Sequence, residues 1–165
     1  MPSLTQPALV IVGDPSRTRI EQVLGADERL VLGIRAVRAV KVPTADAAKD
    51  PLLAPSDRDG PRVVVLGLDG RVVSVVPVDR VTAGAVYAAM KTAVQQAYGS
   101  DLDVLVTRER DVRRELDRLD VERRALVVSP LSDIEWKSRS AQLDDRRRDL
   151  EAKEREIWAL KARAA

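Results

Sequence analysis

The spacing of apolar residues divides the chain into two parts, with the boundary between Gly99 and Ser100. Up to this boundary, short apolar runs are separated by polar stretches, and all eight glycines and eight of the nine prolines lie there. Beyond it the chain is mostly Arg, Asp, Glu, Leu and Ala. Because glycine and proline interrupt regular structure, this distribution predicts a compact β-containing domain over 1–99 and long helices over 100–165.

Within residues 1–99, the length of each apolar run and its flanking turn residues predict the elements. Asp69-Gly70 lies between two β-branched runs and predicts a hairpin, because this pair accepts the positive φ of a tight turn. Thr82 and Gly99 are the predicted caps of a helix over 82–98. The predicted strands lie over 8–12, 37–42, 61–66 and 72–76. A helix is predicted to begin at Asp14 or Ser16, to be interrupted by Gly25 and to restart at Asp27-Glu28. A short helix over 45–50 is predicted to be capped by Thr44.

The resulting order, β-α-β-α-β-β-α, resembles that of the thioredoxin-like fold, and two motifs strengthen the resemblance. Gly60-Pro61-Arg62-Val63-Val64-Val65 resembles the loop proline of the family, which precedes the hairpin strand and is cis in the family. Leu68-Asp69-Gly70-Arg71-Val72-Val73 resembles the turn of the family's hairpin. The resemblance covers about residues 7–99. It implies an α/β sandwich with a groove near Pro61, where the family binds extended peptides.

The chain departs from this family in its chemistry. The C-x-x-C motif of the family belongs at the start of the first helix, which here reads Gly13-Asp14-Pro15-Ser16-Arg17-Thr18, and the chain contains no Cys. Because the thiolate is the reacting group in thiol–disulfide exchange, this composition excludes thiol redox chemistry. The chain also lacks His, and with it the imidazole base and metal ligand. We therefore predict a redox-inactive domain that is not an enzyme and holds no cofactor or metal.

Residues 100–165 predict two long helices, over about 101–127 and 130–164. Ser100 is the predicted N-cap of the first helix, and Ser129-Pro130 is the predicted start of the second. Large apolar residues recur at seven-residue intervals on both helices, as in a coiled coil, whereas the second row of the later helix is basic, at Arg139, Arg146 and Lys153. The predicted contact residues are Leu105, Val112, Leu119, Leu126, Trp136, Leu143, Leu150, Ile157 and Trp158.

One apolar residue per heptad is too few for an isolated helix to form a core. The two helices are therefore expected to bury their apolar rows against the first domain or against another chain. We expect a protein partner, as a homodimer formed through the C-terminal helices. Trp136 and Trp158 have two interpretations, as intramolecular packing residues or as interface anchors.

The charges argue against nucleic acid and membrane partners. Lys and Arg number 28 against 26 Asp and Glu, so the net charge is only +2, and both signs mix along the helices. No basic field of the kind that binds nucleic acid is present, and aromatic residues that stack on bases are scarce. Apolar stretches are far shorter than the ~20 residues of a membrane helix. The first residues lack the features of a signal peptide, so we expect a cytoplasmic location.

Three functional hypotheses follow from these residues. The first is a non-catalytic protein–protein interaction or assembly module. The second is a small-molecule or anion-binding protein that uses the helix start at Gly13, Ser16, Arg17 and Thr18, because free N–H groups at a helix N-terminus attract anions. The third is an enzyme with carboxylate or arginine chemistry, for which no spacing singles out a residue pair.

Overall fold

The computed structural model describes residues 4–13, 19–53 and 60–162, and a mixed four-stranded sheet lies within them. The strands are β1 (Ala8–Val12), β2 (Arg38–Val42), β3 (Arg62–Leu66) and β4 (Val72–Pro77), in the order β2-β1-β3-β4. β1 is parallel to β2 and antiparallel to β3, and β3 is antiparallel to β4. All four predicted strands are confirmed, each to within one residue at either end.

The core of this sheet lies on its two central strands, β1 and β3, which are buried at every position. Their nearly continuous apolar sequences suit strands that are covered on both faces. One face carries a buried cluster of Ala8, Val10, Val12, Ala47, Leu53, Val64 and Leu66. Helix α4 (Ala83–Tyr98) contacts β3 and β4. The edge strand β2 is mostly exposed, and its sequence is accordingly more polar.

The turn between β3 and β4 confirms the predicted hairpin. The Asp69 side chain accepts a hydrogen bond from the backbone N–H of Arg71 at 3.0 Å. Gly70 has φ 72°, in the left-handed region that favours glycine. The backbone N–H of Gly67 donates to the carbonyl of Arg71 at 2.9 Å and closes the turn.

The helices on either side of β2 differ from the prediction in their ends. Helix α1 (Arg19–Ala26) continues through Gly25, so that the break predicted there falls at Asp27 instead. Asp27 caps α2 (Glu28–Gly33), because its side chain accepts from the N–H groups of Arg29 and Leu30 at 2.8 and 3.4 Å. Helix α3 (Thr44–Ala47) is one turn long, and its N-cap is Pro43 rather than the predicted Thr44. The predicted cap of α1, Asp14 or Ser16, lies outside the described residues.

Helix α4 (Ala83–Tyr98) has both predicted caps. The Thr82 hydroxyl accepts from the N–H of Ala85 at 3.2 Å, and Gly99 ends the helix at φ 70°. Apolar residues at helical spacing share one face of α4, and Val86, Met90, Ala93 and Ala97 on this face are all buried. Such a stripe is what an amphipathic helix packs against a core.

The chain forms two compact units. One contains the described residues within Met1–Val106 and Leu160–Ala165, and the other is Thr107–Ala159. Two long helices, α5 (Leu102–Val127) and α6 (Asp133–Ile157), follow the sheet domain, and we call them the hairpin. The first turn of α5 belongs to the first unit, which extends to Val106.

Helix α6 is shorter than the predicted 130–164 at both ends. It begins after Ser132, whose hydroxyl accepts from the N–H of Glu135 while the Glu135 carboxylate accepts from the N–H of Ser132. This reciprocal capping box fixes the start of the helix more strongly than the predicted pair Ser129-Pro130. The Ser129 hydroxyl instead donates to the carbonyl of Ala125, at the end of α5. The helix ends at Ile157.

Candidate functional site

The two helices of the hairpin are antiparallel, and ion pairs connect residues 120–123 with residues 144–147, in the half of the hairpin nearer the turn. Arg123 contacts Asp144 at 3.1 Å, and Arg146 contacts Glu122 at 2.9 Å. A third pair joins Arg147 to Asp120. All of these side chains are partly exposed, so each pair contributes at most about 1 kcal/mol. They set the register of the two helices more than they stabilise the fold.

The apolar rows of the two helices are buried to different degrees. On α5, Val112, Leu119 and Leu126 are nearly inaccessible, at 8, 2 and 6% exposure. No residue of α6 is buried, and its predicted apolar row, Leu143, Leu150 and Ile157, is only half-buried. Leu105 is also buried, within the first unit. The apolar row of α5 is therefore largely covered within the chain, whereas that of α6 keeps accessible surface.

The second row of α6 is not the one predicted. Arg139, Arg146 and Lys153 are exposed, whereas Ser140, Arg147 and Glu154 are half-buried. The half-buried residues lie four positions after the residues of the apolar row, whereas the predicted residues lie four positions before them. Because Arg147 pairs with Asp120, a charged residue is tolerated at a half-buried position. Periodicity alone does not distinguish these two rows, since both flank the apolar row at helical spacing.

A buried carboxylate lies in the hairpin. Glu109 has 0% exposure and accepts hydrogen bonds from Nε of Arg113 at 2.9 Å and from the indole N–H of Trp158 at 3.0 Å. Trp158, a predicted contact residue, is half-buried and engaged within its own chain. In the sequence, the signal for Glu109 was a charged residue at a heptad position that Leu102 and Leu116 also occupy, but Arg123 occupies the same position, so the signal was not unique.

Two grooves lie along the hairpin, of about 390 and 330 Å³. Each of the six residues lining the first groove has a counterpart in the second groove, 14 positions away on the same helix. Because residues two heptads apart lie on the same face of a helix, both grooves open on the same face of the hairpin. We call this the front face. The apolar part of the first groove is formed by Val112 and Ile157, and that of the second groove by Leu126 and Leu143. The charged lining residues are Arg108, Asp111, Lys153 and Glu156 in the first groove, and Glu122, Arg139 and Arg146 in the second.

The turn of the hairpin exposes a group of large apolar side chains. Val127 and Val128 are 71 and 82% exposed, Ile134 is 82% exposed and Trp136 is 41% exposed. We call these four residues the tip patch. Isolated exposed apolar residues are ordinary, whereas four within ten positions make this turn a candidate contact surface. Of the predicted contact residues, Trp136 is therefore the most accessible.

In the first unit, the sheet brings together the two positions singled out by the family resemblance. Val12 pairs with Arg62, so Gly13 and Pro61 lie at the same edge of the sheet. No peptide bond among the described residues is cis, so Pro61 is trans, unlike the loop proline of the family. Ser16, Arg17 and Thr18 lie outside the described residues. Arg62, which sequence reasoning missed, is buried at this edge and donates to the carbonyl of Gly60 at 2.9 Å.

An apolar cavity of about 260 Å³ is a second feature of the first unit. It is lined by Leu9, Leu24, Gly25, Leu30, Val31, Ile34 and Met90. Its lining offers no charged side chain that would orient a ligand. The cavity therefore gives no specific support to a small-molecule function.

A cluster of charged groups surrounds Tyr87. Arg29 lies 5.3 Å from the ring centroid, and Lys91 pairs with Asp101 at 3.5 Å and with Asp103. Burial raises the pKa of the Tyr87 hydroxyl, and the nearby Asp103 carboxylate raises it further. This hydroxyl is buried and makes no hydrogen bond of ordinary geometry with a described residue. The Lys91 ammonium lowers the pKa of Asp103, and Tyr87 acts in the same direction.

We expect Asp103→Asn to remove a pH-dependent part of the stability. Because the pKa of Asp103 is lowered in the folded chain, its contribution is present above the ordinary value of 3.8 and is lost as the pH falls below it. The group is exposed, so the loss at pH 7 is at most about 1 kcal/mol. Thermal melts of wild type and variant should differ at pH 7 and converge near pH 2. A difference that persists at low pH would show that the ion pair is not its cause, and Asp117→Asn on exposed α5 surface is the control.

The described part of the chain offers neither a group of metal-ligating side chains nor a helix that could span a membrane. Across residues 4–13, 19–53 and 60–162, no three His, Cys, Asp or Glu side chains are grouped as a metal ion would require. None of the helices seen there is both long and apolar enough to cross a membrane. Comparisons with protein-family models, with curated proteins and with solved structures each find no match for this chain.

Proposed function

We propose that this chain is a non-catalytic protein–protein association module, in which a thioredoxin-like domain without cysteines carries a contact-forming hairpin. The strand order β2-β1-β3-β4 supports the thioredoxin-like assignment, as do the parallel pair β1–β2, the antiparallel hairpin β3–β4 and the closing helix α4. The trans bond before Pro61 is a departure from that family. Since fold does not determine function, the assignment by itself implies no activity.

Composition excludes thiol redox chemistry, which favours a contact role over the chemistry of the family that the fold resembles. The chain has no thiol at the start of its first helix or elsewhere. Glu109 accepts hydrogen bonds from Arg113 and Trp158, and the carboxylates of the cross-helix ion pairs are bound to arginines. A non-catalytic role fits this arrangement better than acid–base chemistry, which needs a carboxylate that can reach a substrate.

The observation that carries the proposal is the accessible apolar surface of the hairpin. The tip patch exposes Val127, Val128, Ile134 and Trp136, and the apolar row of α6 is nowhere fully buried. Keeping such residues in water on an otherwise charged hairpin has a cost in free energy, which a bound partner removes. Trp is also among the residues most enriched at the centres of protein interfaces.

Substitution of the tip patch tests this function. We expect the double variant Ile134→Asp, Trp136→Asp to lose binding partners that the wild-type full-length chain retains, whether these are other proteins or further copies of the chain. Molar mass by light scattering and quantitative affinity capture are the measurements. The matched control is Ala141→Asp, Ala152→Asp, which places two aspartates at exposed positions of the same helix. Equal mass and equal captured proteins for all three chains would contradict the proposal.

The location of Arg62 favours anion binding as a second candidate function. A buried guanidinium lies at the sheet edge that also holds Gly13, the first residue of the predicted anion turn. Arg62 already donates to the carbonyl of Gly60, so Arg17 of the predicted anion turn is the residue whose substitution tests this function. Phosphate-dependent thermal stabilisation of the wild type, lost in Arg17→Ala, is the expected result for this function. Absence of any stabilisation by phosphate would rule it out.

A further inference from the structure

We propose that the partner of the hairpin is a second copy of this chain, bound through the front face about a two-fold axis parallel to the helices. In this dimer, α5 of each copy lies against α6 of the other. The inference rests on the proposed function and identifies its partner. It is argued from the charges of the front face, from its apolar residues and from the symmetry that both require.

The front face has acidic residues on one helix opposite basic residues on the other. The ion pair between Glu122 and Arg146 lines the second groove. One heptad further from the turn, Glu115 on α5 and Lys153 on α6 occupy the corresponding positions. Arg139 continues the basic row toward the turn. The central part of the α5 row is thus acidic, and the α6 row is basic throughout.

Among the described residues, part of this charge is not engaged in an ion pair with the other helix of its own hairpin. In the described part of the chain, Lys153 forms no ion pair, and the partner of Glu115 is Arg118 on the same helix, at 3.0 Å. At the end of α5 away from the turn the signs are reversed, because the first groove is lined by the basic Arg108 on α5 and the acidic Glu156 on α6. A partner that brings a basic row to α5 and an acidic row to α6 would therefore be electrostatically complementary.

A second copy of the chain brings a basic row to α5 and an acidic row to α6 only when the two copies are related by one particular two-fold axis. A two-fold axis parallel to the helices lays α5 of one copy on α6 of the other, so Glu115 and Glu122 face Lys153 and Arg146 of the second copy. A two-fold axis across the helices instead lays α5 on α5 and α6 on α6. The basic row of α6 would then face itself, and like charges in contact oppose association. The charge pattern therefore selects the parallel axis.

The same arrangement covers Trp136 and the accessible apolar row of α6. Trp136 belongs to the apolar row of α6, which adjoins the front-face grooves through Leu143 and Ile157. With the axis parallel to the helices, the two turns lie at the same end of the dimer and the two Trp136 side chains approach each other near the axis. Aromatic residues near an interface centre contribute strongly to binding.

Charge reversal tests this dimer in the full-length chain. We expect Glu115→Lys and Lys153→Glu, each alone, to raise the dimer dissociation constant at least about tenfold, because each places like charges at two symmetric contacts. The variant with both reversals should regain dimerisation, since the opposite charges are restored. Asp117→Lys, an exposed change elsewhere on α5, is the control and should leave the constant unchanged. Sedimentation velocity at several concentrations measures it.

Cysteine cross-linking provides a second readout, because the chain has no cysteine of its own. In an equimolar mixture of Glu115→Cys and Lys153→Cys chains under mild oxidation, we expect disulfides between the two variants and few within either one. Predominant Glu115→Cys homodisulfides would overturn the parallel axis. A wild-type chain that stays monomeric would overturn the inference. If the wild-type chain is monomeric but captures a different protein through the tip patch, the proposed function stands and the homodimer is wrong. If the tip patch captures no protein either, the proposed function and the homodimer both fail.

Discussion

Replacing Leu119 by aspartate is expected to unfold the hairpin and to remove much of the helical signal of the chain. Leu119 is 2% exposed and lies midway along α5, in the row that α6 covers. The substitution deletes a large buried side chain, which costs roughly 2–5 kcal/mol, and brings a carboxylate into an apolar site. Ion pairs on the surface of the hairpin are too weak to offset such a loss.

The control for this prediction lies two residues further along the same helix. Val121→Asp introduces the same side chain with the same helix propensity, but Val121 is 63% exposed. Its effect on the unfolding free energy should stay within about 1 kcal/mol. Circular dichroism at 222 nm, followed through a thermal melt, measures both variants. If the two aspartates had equal effects, the apolar row of α5 would not form the core of the hairpin.

The second large effect is expected at Glu109. Glu109→Ala removes the acceptor of two hydrogen bonds, one of them from the half-buried indole N–H of Trp158. Loss of a buried, hydrogen-bonded charge lowers the free energy of unfolding by about 2–4 kcal/mol. Glu109→Gln keeps the shape and an acceptor, so its effect should be clearly smaller. Urea unfolding of the full-length chain gives these values.

A double-mutant cycle separates the Glu109–Trp158 contact from general damage to the hairpin. Trp158→Phe keeps an aromatic ring and removes only the donor. If the hydrogen bond at 3.0 Å contributes, the two substitutions together should cost less than the sum of each alone, by about 0.5–3 kcal/mol. Glu115→Ala, which removes a half-exposed carboxylate from the same helix, is the control. Strict additivity would show that Glu109 and Trp158 are not coupled.

Much of the sheet domain was predictable because its signals are local. The strand limits follow from apolar runs bounded by Pro and Gly, and the turn at Asp69-Gly70 and the caps at Thr82 and Gly99 depend on residues within one turn. Where the prediction was wrong, a competing local signal was stronger. The capping box at Ser132 and Glu135 overrode Ser129-Pro130, and Asp27 rather than Gly25 separated α1 from α2.

The candidate contact surface was less predictable from the same pattern. Seven-residue spacing indicates that Leu105, Val112, Leu119 and Leu126 share one face of α5, but it does not indicate what covers that face. The structure buries all four within the chain and leaves Trp136 accessible at the turn. Ile134, Val127 and Val128 gave no periodic signal, because residues beside a turn need not follow the heptad. They were therefore missed as contact residues.

The sequence by itself determined what chemistry this protein lacks and where its regular elements lie. With no Cys, no thiol chemistry is available in any fold, and the distribution of Gly and Pro separates a sheet domain from two helices. Only the tertiary structure decided which side chains are accessible. It buried Glu109, placed Gly13 beside Pro61 through the pairing of Val12 with Arg62, and aligned the charges of α5 and α6 on one face. The physical reason is that composition and local spacing act within one element, whereas burial and complementarity arise between elements distant in sequence.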